Sequence, residues 1–205
     1  MPAIEITGFW KRYGALEAVR GVSLTIEKGE LFGLIGPDGA GKTTLMRTVC
    51  TLLAPSDGSI LVQGMDVTSD VVKVRAILGY MPQRFSLYQD LSVEQNLRFF
   101  ADLFQVPEEE RAGRLEELYR FSRLEPFKRR KAGALSGGMK QKLSLSCALI
   151  HRPEVLILDE PTFGVDPVSR QEFWEILRSI QKSGAAVLVS TAYMDEAAQC
   201  DRVAL

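Results

Sequence analysis

The eight residues Gly36-Pro37-Asp38-Gly39-Ala40-Gly41-Lys42-Thr43 carry the spacing GxxxxGK[ST] of a phosphate-binding loop. Gly36, Gly39 and Gly41 let the backbone curl so that successive N–H groups point into one concavity, a nest for phosphate oxygens. Lys42 can reach β- and γ-phosphates as a point charge, and the Thr43 hydroxyl is placed to ligate Mg²⁺. A Gly-rich turn between a strand and a helix would need no Lys-Thr after its last glycine, so nucleotide binding is the stronger reading.

Two further clusters could do chemistry. Asp159 and Glu160 end the apolar run Val155-Leu156-Ile157-Leu158, where open α/β sheets place their ligands. Adjacent acids at the tip of a buried strand are costly without a cation, and the Mg²⁺ of a nucleotide would supply one. Leu135-Ser136-Gly137-Gly138-Met139-Lys140-Gln141 opens a helix, with Ser136 as N-cap and two glycines permitting close approach of another backbone. His151, the only histidine, falls in the last turn of that helix and reads as a dipole-compatible helix end rather than a catalyst.

The elements that must position these groups follow from periodicity. The apolar run Leu31–Ile35 predicts the strand before the loop, and Thr44-Leu45-Met46-Arg47 the helix after it. Ile4 and Ile6 alternate with polar residues, as do Val22, Leu24 and Ile26, and a further strand spans Ile60–Val62; together they predict an antiparallel sheet with one wet face. Tyr13 reads as a loop aromatic between the first two strands, and Ala76–Met81 as a core strand ended by Pro82. From Ser92 to about Ile150 the pattern is helical, starting with the capping box Ser92-Val93-Glu94-Gln95 and the stripe Leu97, Phe100, Ala101, Phe104. A second helix runs from about Pro107 with Leu115, Leu118 and Tyr119 inward, and Lys128–Lys131 reads as a solvated loop. A helix over about Val168–Lys182, a strand over Ala185–Ser190, a helix from Met194 and a strand from Arg202 complete the chain.

At 205 residues the chain suits one domain with sub-parts. A net charge of −1 gives no electrostatic case for nucleic acid, so none is expected as a partner. Cys50, Cys147 and Cys200 are widely spaced without a metal-ligand pattern, which reads as reduced thiols of a cytosolic protein. No apolar run approaches the length of a transmembrane helix, so work at a membrane would need a partner to bring the chain there.

The phosphate loop, Leu-Ser-Gly-Gly-Met-Lys-Gln at 135–141 and Val-Leu-Ile-Leu-Asp-Glu at 155–160 together resemble the ATP-binding cassette (ABC) ATPases over the whole chain. The resemblance implies an α/β fold: a P-loop NTPase core of mostly parallel sheet flanked by helices, an antiparallel β subdomain and an inserted α-helical subdomain. The core and β subdomain would take about 1–83 and 151–205, and the helical subdomain about 84–150. It implies ATP and Mg²⁺ as cofactors. Tyr13 would stack on adenine, and Gly36, Pro37, Asp38, Gly39, Ala40, Gly41, Lys42, Thr43 and Thr44 would hold the phosphates. Thr43, Gln83 and Asp159 would serve the metal, and Glu160 would act as the base for the attacking water. Family members bind ATP between two cassettes, so Ser136, Gly137 and Gly138 would contact the nucleotide of the partner, with Asp166 at the interface.

Two departures from the family pattern stand out. Asp38 replaces a common Asn, at a position tolerant of either. In Ser190-Thr191-Ala192-Tyr193-Met194-Asp195-Glu196-Ala197 the family's switch histidine is replaced by Ala192, which implies slow hydrolysis. The chain stops at Leu205 inside an expected strand, which the resemblance reads as a C-terminally truncated polypeptide or one half of a larger one. The stretches 79–88, 159–170 and 190–197 are similar to cassettes of ABC-2-type exporters, some of which fuse two cassettes in tandem. The implied function is ATP-driven export through a transmembrane permease subunit, with a second cassette as homodimer or tandem half. The implied location is peripheral, on the cytoplasmic face of the inner or plasma membrane. A soluble family member acting on ribosomes or DNA would carry charged insertions that this sequence lacks, and a slow regulatory cassette is supported by Ala192 alone.

Overall fold

The computed structural model describes residues 1–84 and 87–205. Phe85 and Ser86, part of the exporter-like stretch 79–88, lie outside the described residues. The first sheet has strands β1 (Ile4–Tyr13), β2 (Leu16–Ile26), β4 (Asp57–Val62) and β5 (Met65–Asp66), antiparallel in the order β2-β1-β4-β5. Ile4 and Ile6 are buried while Glu5 and Thr7 face water, as period-two alternation requires. A bulge between Ile6 and Phe9 shifts the register, so Phe9 returns to the buried face out of phase. Tyr13 is not in a loop: it is the last residue of β1, paired with Leu16 across a tight hairpin and half exposed.

The second sheet is parallel: β3 (Leu31–Ile35), β6 (Leu78–Met81), β7 (Val155–Asp159), β8 (Ala186–Thr191) and β9 (Arg202–Ala204), ordered β6-β7-β8-β3-β9. β3, β7 and β8 are buried along their whole length, because both faces are covered. On one face Val155 and Ile157 pack with Leu45, Met46 and Val49 of α1 (Lys42–Val49) and with the inner side of the first sheet. On the other, Leu156 and Leu158 meet Phe173, Trp174, Leu177 and Ile180 of α6 (Pro167–Lys182). Each such side chain contributes about 1.5–3 kcal/mol relative to exposure, which fixes the strand that carries Asp159 and Glu160.

The expected strand over Ala76–Met81 begins only at Leu78, since Ala76 and Ile77 end helix α2 (Val71–Ile77). An apolar run cannot by itself tell the end of a helix from the start of a strand. The expected helix from Met194 is a single turn, α7 (Met194–Ala197).

The helical layer holds α3 (Val93–Leu103), α4 (Glu108–Ser122) and α5 (Gly137–Leu149) around Leu97, Ala101, Leu115, Leu118, Leu143 and Cys147. Both capping-box bonds form: Gln95 N–H donates to Ser92 Oγ at 3.1 Å, and Ser92 N–H to Gln95 Oε1 at 2.8 Å. α5 shares its side chains between two cores, Leu143 and Cys147 going to the helical layer and Leu145 and Ala148 to the parallel sheet. His151 lies beyond the end of α5, not in its last turn; its ring stacks on Phe104 with centroids 3.8 Å apart. Burial holds its imidazole below the ordinary histidine value, which opposes the dipole role expected of a charged helix end. Among the described residues no helix is long and apolar enough to cross a membrane.

Candidate functional site

The phosphate loop connects β3 to α1, where the parallel strands end. Gly36, Gly39 and Gly41 all have positive φ, and Gly41 caps α1 at φ 92°. A Cβ on Gly41 would lie 2.6 Å from Ala18 O of β2, so only glycine lets the loop pass this close to the first sheet. No side chain caps α1, and the first-turn N–H groups of a helix in this position favour an anion. Pro37, Asp38, Gly39 and Ala40 are exposed at the rim, and Thr43 and Thr44 are half-buried in the first helical turn.

Lys42 is buried and turns back along the loop. Its Nζ donates to Gly36 O at 2.6 Å and Pro37 O at 3.0 Å, and stands 3.3 Å from Glu160 Oε1. Glu160 follows β7 at φ 47°, a left-handed conformation costing a non-glycine residue on the order of 1–3 kcal/mol. That turn brings its carboxylate both to Lys42 and to Gln83, whose Nε2 donates to Oε2 at 2.7 Å. Thus β3, β6 and β7 deliver Lys42, Gln83 and Glu160 to one point.

Asp159 is tied to β8. Its Oδ1 accepts from Ser190 Oγ at 2.8 Å, and Ser190 Oγ in turn accepts the Glu160 N–H at 2.9 Å. Asp159 Oδ2 is buried without a hydrogen-bond partner among the described residues. A buried carboxylate oxygen left bare is unfavourable, and a hard cation satisfies it. No group of three His, Cys, Asp or Glu among the described residues could hold a metal by itself. Asp159, the Thr43 hydroxyl and the Gln83 amide oxygen are oxygen donors of the kind Mg²⁺ takes, and would hold it with substrate phosphate and water completing the shell.

The remaining expected residues lie apart from this cluster. Ser136 caps α5, its Oγ accepting from Met139 N–H at 3.3 Å, and is exposed with Gly137. Gly138 is buried, and a Cβ there would lie 2.6 Å from Ser169 of α6, so its hydrogen serves helix packing within the chain. Asp166 caps α6 by accepting from Ser169 N–H at 2.9 Å. Among the described residues no hydrogen bond or ion pair is recorded from Tyr13, Ser136, Gly137, Gly138 or Asp166 to the loop. Ala192 is exposed on the turn after β8.

Residues 19–163 match the sequence pattern described as ABC transporter. The chain belongs to the ABC transporter family. This cassette is 48% identical over 204 residues to the "Probable multidrug ABC transporter ATP-binding protein YbhF" of Escherichia coli, covering 98% of the chain and 35% of that protein. It thus spans about a third of that relative's length. Among solved structures it resembles cbiO1 from Clostridium perfringens, described as part of the ABC transporter complex cbiONQ, with TM-score 0.90 and 30% identity over 98% of this chain and 83% of that one. It also resembles the dimeric ATP-binding cassette MJ0796 bound to ADP and Pi, with TM-score 0.87 and 25% identity over 98% and 92%. The fold is that of the P-loop NTPase cassettes, as the sequence implied.

Several residues of this cassette's site were not singled out by sequence reasoning. Ser190 orients both acids, and its signal was a single hydroxyl at the end of the otherwise apolar run Ala186–Val189. Buried Thr162 and Glu196 join half-buried Arg170 in a network behind the Ala192 turn; all three lie in the exporter-like stretches 159–170 and 190–197, but the likeness assigned them no role.

Proposed function

We propose that this cassette binds MgATP and hydrolyses it to drive export through a membrane permease. The observation that carries the reading is the convergence of Lys42, Gln83 and Glu160 at the mouth of the phosphate loop, beside the bare oxygen of Asp159. Loop N–H groups and Lys42 hold the β- and γ-phosphates, and the half-exposed Tyr13 at the end of β1 stacks on the adenine. Asp159, Thr43 and Gln83 would hold Mg²⁺, which would supply positive charge against the phosphates. Once phosphate draws Lys42 away, Glu160 Oε1 is free to accept a proton from the attacking water, while Gln83 keeps the carboxylate oriented through Oε2. Water oxygen bonds to the γ-phosphorus as the bond to the bridging oxygen breaks, and the proton passes to Glu160.

The exposed N-terminus of α5, with Ser136, Gly137 and the Gly138 N–H, faces the nucleotide of a second cassette in a two-fold arrangement, and Asp166 lies at that interface. The second cassette is another copy or a tandem half. The chain works as one domain: a nucleotide-binding core with its β subdomain, and a helical subdomain over about 84–150. The permease docks on the apolar groove formed by Leu52, Leu78, Tyr80, Leu87, Phe100 and Phe104, which adjoins the segment carrying Gln83. That partner keeps the cassette at the cytoplasmic face of the membrane, and nucleic acid plays no part. A second reading, a regulatory cassette that closes on ATP but turns over slowly, is favoured by Ala192.

MgATP should raise the melting temperature of the wild type by linkage and leave Lys42→Ala unmoved. No shift at millimolar MgATP would overturn the reading. Copurification with a membrane protein rather than with ribosomes would support the exporter assignment.

A further inference from the structure

Glu196 is an acid in the single-turn helix α7, only 2% exposed. Both its oxygens are engaged. Oε1 accepts from Thr162 Oγ1 at 2.5 Å, and Oε2 accepts from Thr191 Oγ1. Thr162 sits two residues after Glu160, and Thr191 is the last residue of β8, immediately before Ala192. Arg170 of α6 supplies the countercharge: its Nε lies 3.5 Å from Glu196 Oε1 as an ion pair and makes no hydrogen bond of its own among the described residues. The same guanidinium stacks over Tyr193, 4.4 Å from the ring centroid. Tyr193 N–H donates to Thr191 Oγ1 at 3.0 Å, so a chain of bonds runs from the Ala192 turn through Thr191 into the carboxylate.

We propose that Glu196 is a positioning residue that locks the turn following Glu160 to the turn carrying Ala192. This rests on the ATPase reading above for its catalytic consequence. Ser190 already ties the tip of β8 to Asp159 and to the Glu160 N–H. Glu196 adds a second tie one residue further on, between Thr191 and Thr162, and so fixes the two turns in rotation as well as in distance. Glu160 needs such support because its backbone holds an unfavourable left-handed φ of 47°. The network persists although Ala192 has no donor to present, so its role lies in setting Glu160 and the Asp166 loop rather than in serving a side chain at 192. Arg170 joins the same unit to α6, whose N-cap is Asp166.

The test compares wild type with Glu196→Ala, Glu196→Gln, Thr162→Val, Thr191→Val and the double threonine variant. Three quantities are read: ATP turnover, equilibrium ATP affinity, and backbone amide exchange over 162–165 and 191–195. Misplacing a catalytic group by a fraction of an ångström is costly, so Glu196→Ala should lower kcat by about 10-fold or more while affinity stays within about 2-fold. Glu196→Gln keeps a carbonyl acceptor and should lose less. The double threonine variant should cost no more than Glu196→Ala, because both remove the same tie. Both segments should exchange faster together in each variant. Unchanged kcat in Glu196→Ala, or loosening of one segment without the other, overturns the proposal, as does a fall in kcat matched by an equal loss of affinity. Should Glu196→Ala fail to fold, Thr162→Val carries the same comparison. Absence of ATP binding by wild type would strike down the ATPase reading, and joint or separate loosening of the two turns would still decide whether Glu196 locks them.

Discussion

Lys42 Nζ and Glu160 Oε1 lie 3.3 Å apart, with both side chains more than nine-tenths buried, so the lysine of the loop and the acid at the strand tip serve as each other's counter-ion. A γ-phosphate entering the loop competes with Glu160 for that lysine. With Lys42 holding ATP and Glu160 as the base, as proposed, binding of substrate and release of the base would be one event.

Glu160→Gln separates these effects. The amide keeps the shape and can still contact Gln83, but it neither pairs with Lys42 nor takes a proton. ATP should bind several-fold more tightly, and turnover should fall by about 10²-fold or more. Unhydrolysed ATP should then hold two cassettes together, seen as a dimer by gel filtration. Ser136→Arg in the same background should dissolve it, since a bulky cation at the exposed N-terminus of α5 blocks close approach. A dimer indifferent to Ser136→Arg would remove the signature helix from the interface.

The glycines of the loop differ in what they tolerate. At Gly41 an added Cβ meets Ala18 O at 2.6 Å and must also adopt φ 92°, whereas at Gly39 the space is open and only φ 81° opposes it. Gly41→Ala should therefore cost about 2–3 kcal/mol of stability and Gly39→Ala about 1 kcal/mol. Urea denaturation without nucleotide checks the ranking, and equal costs would show that the contact with β2 does not constrain the loop.

Where chemistry demands fixed residue types at local spacing, the sequence was readable: the loop, the Ser136 cap and the acids after Val155–Leu158 all stand where their patterns put them. The buried strands were equally plain, since an apolar run covered on both faces has no polar residue to confuse it. What escaped were relations between distant segments. Thr162 and Glu196 are 34 residues apart in two family-like stretches, and nothing in either stretch says that they meet. Gly138 also packs tightly against Ser169 of its own chain, a contact that its place in the sequence did not reveal. The start of β6 was misplaced because Ala76 and Ile77 are as apolar as the strand they precede.

His151 gives the fold a pH dependence of definite sign. Its Nε2–H donates to Leu78 O at 3.2 Å, and Nδ1 is buried with no partner among the described residues. Protonation would place an unpaired donor and a charge beside Phe104, and burial accordingly lowers the imidazole pKa from its ordinary 6.5. With the folded value below the unfolded one, the neutral ring's contribution is whole above about pH 6.5 and is lost as pH falls from there through the folded value. His151→Phe keeps the stack and cannot titrate. It should be less stable than wild type at pH 8 by about 1 kcal/mol for the lost hydrogen bond, and the gap should narrow towards pH 5. Melting temperatures across this range check it; a constant gap would mean that His151 does not titrate between the two states.

Ala192 tests how much of the catalysis rests on Glu160 alone. It is exposed on the turn between Thr191 and Tyr193, which Glu196 and Arg170 hold from beneath. A methyl group there supplies no donor to a γ-phosphate and cannot orient water against Glu160. In phosphoryl transfer most of the protein's contribution is positioning and stabilisation of spread charge, and a missing donor of this kind costs on the order of 10²–10³ in rate with little effect on ground-state binding. A histidine at this position would reach outward from a backbone that is already fixed, so little reorganisation is needed to use it. Ala192→His should raise turnover at least about 10-fold at unchanged ATP affinity. Steady-state kinetics and a separate binding isotherm on both proteins distinguish the outcomes. If wild type already turns over briskly and histidine adds nothing, Glu160 with Gln83 suffices, and the turn beyond β8 acts only as a support.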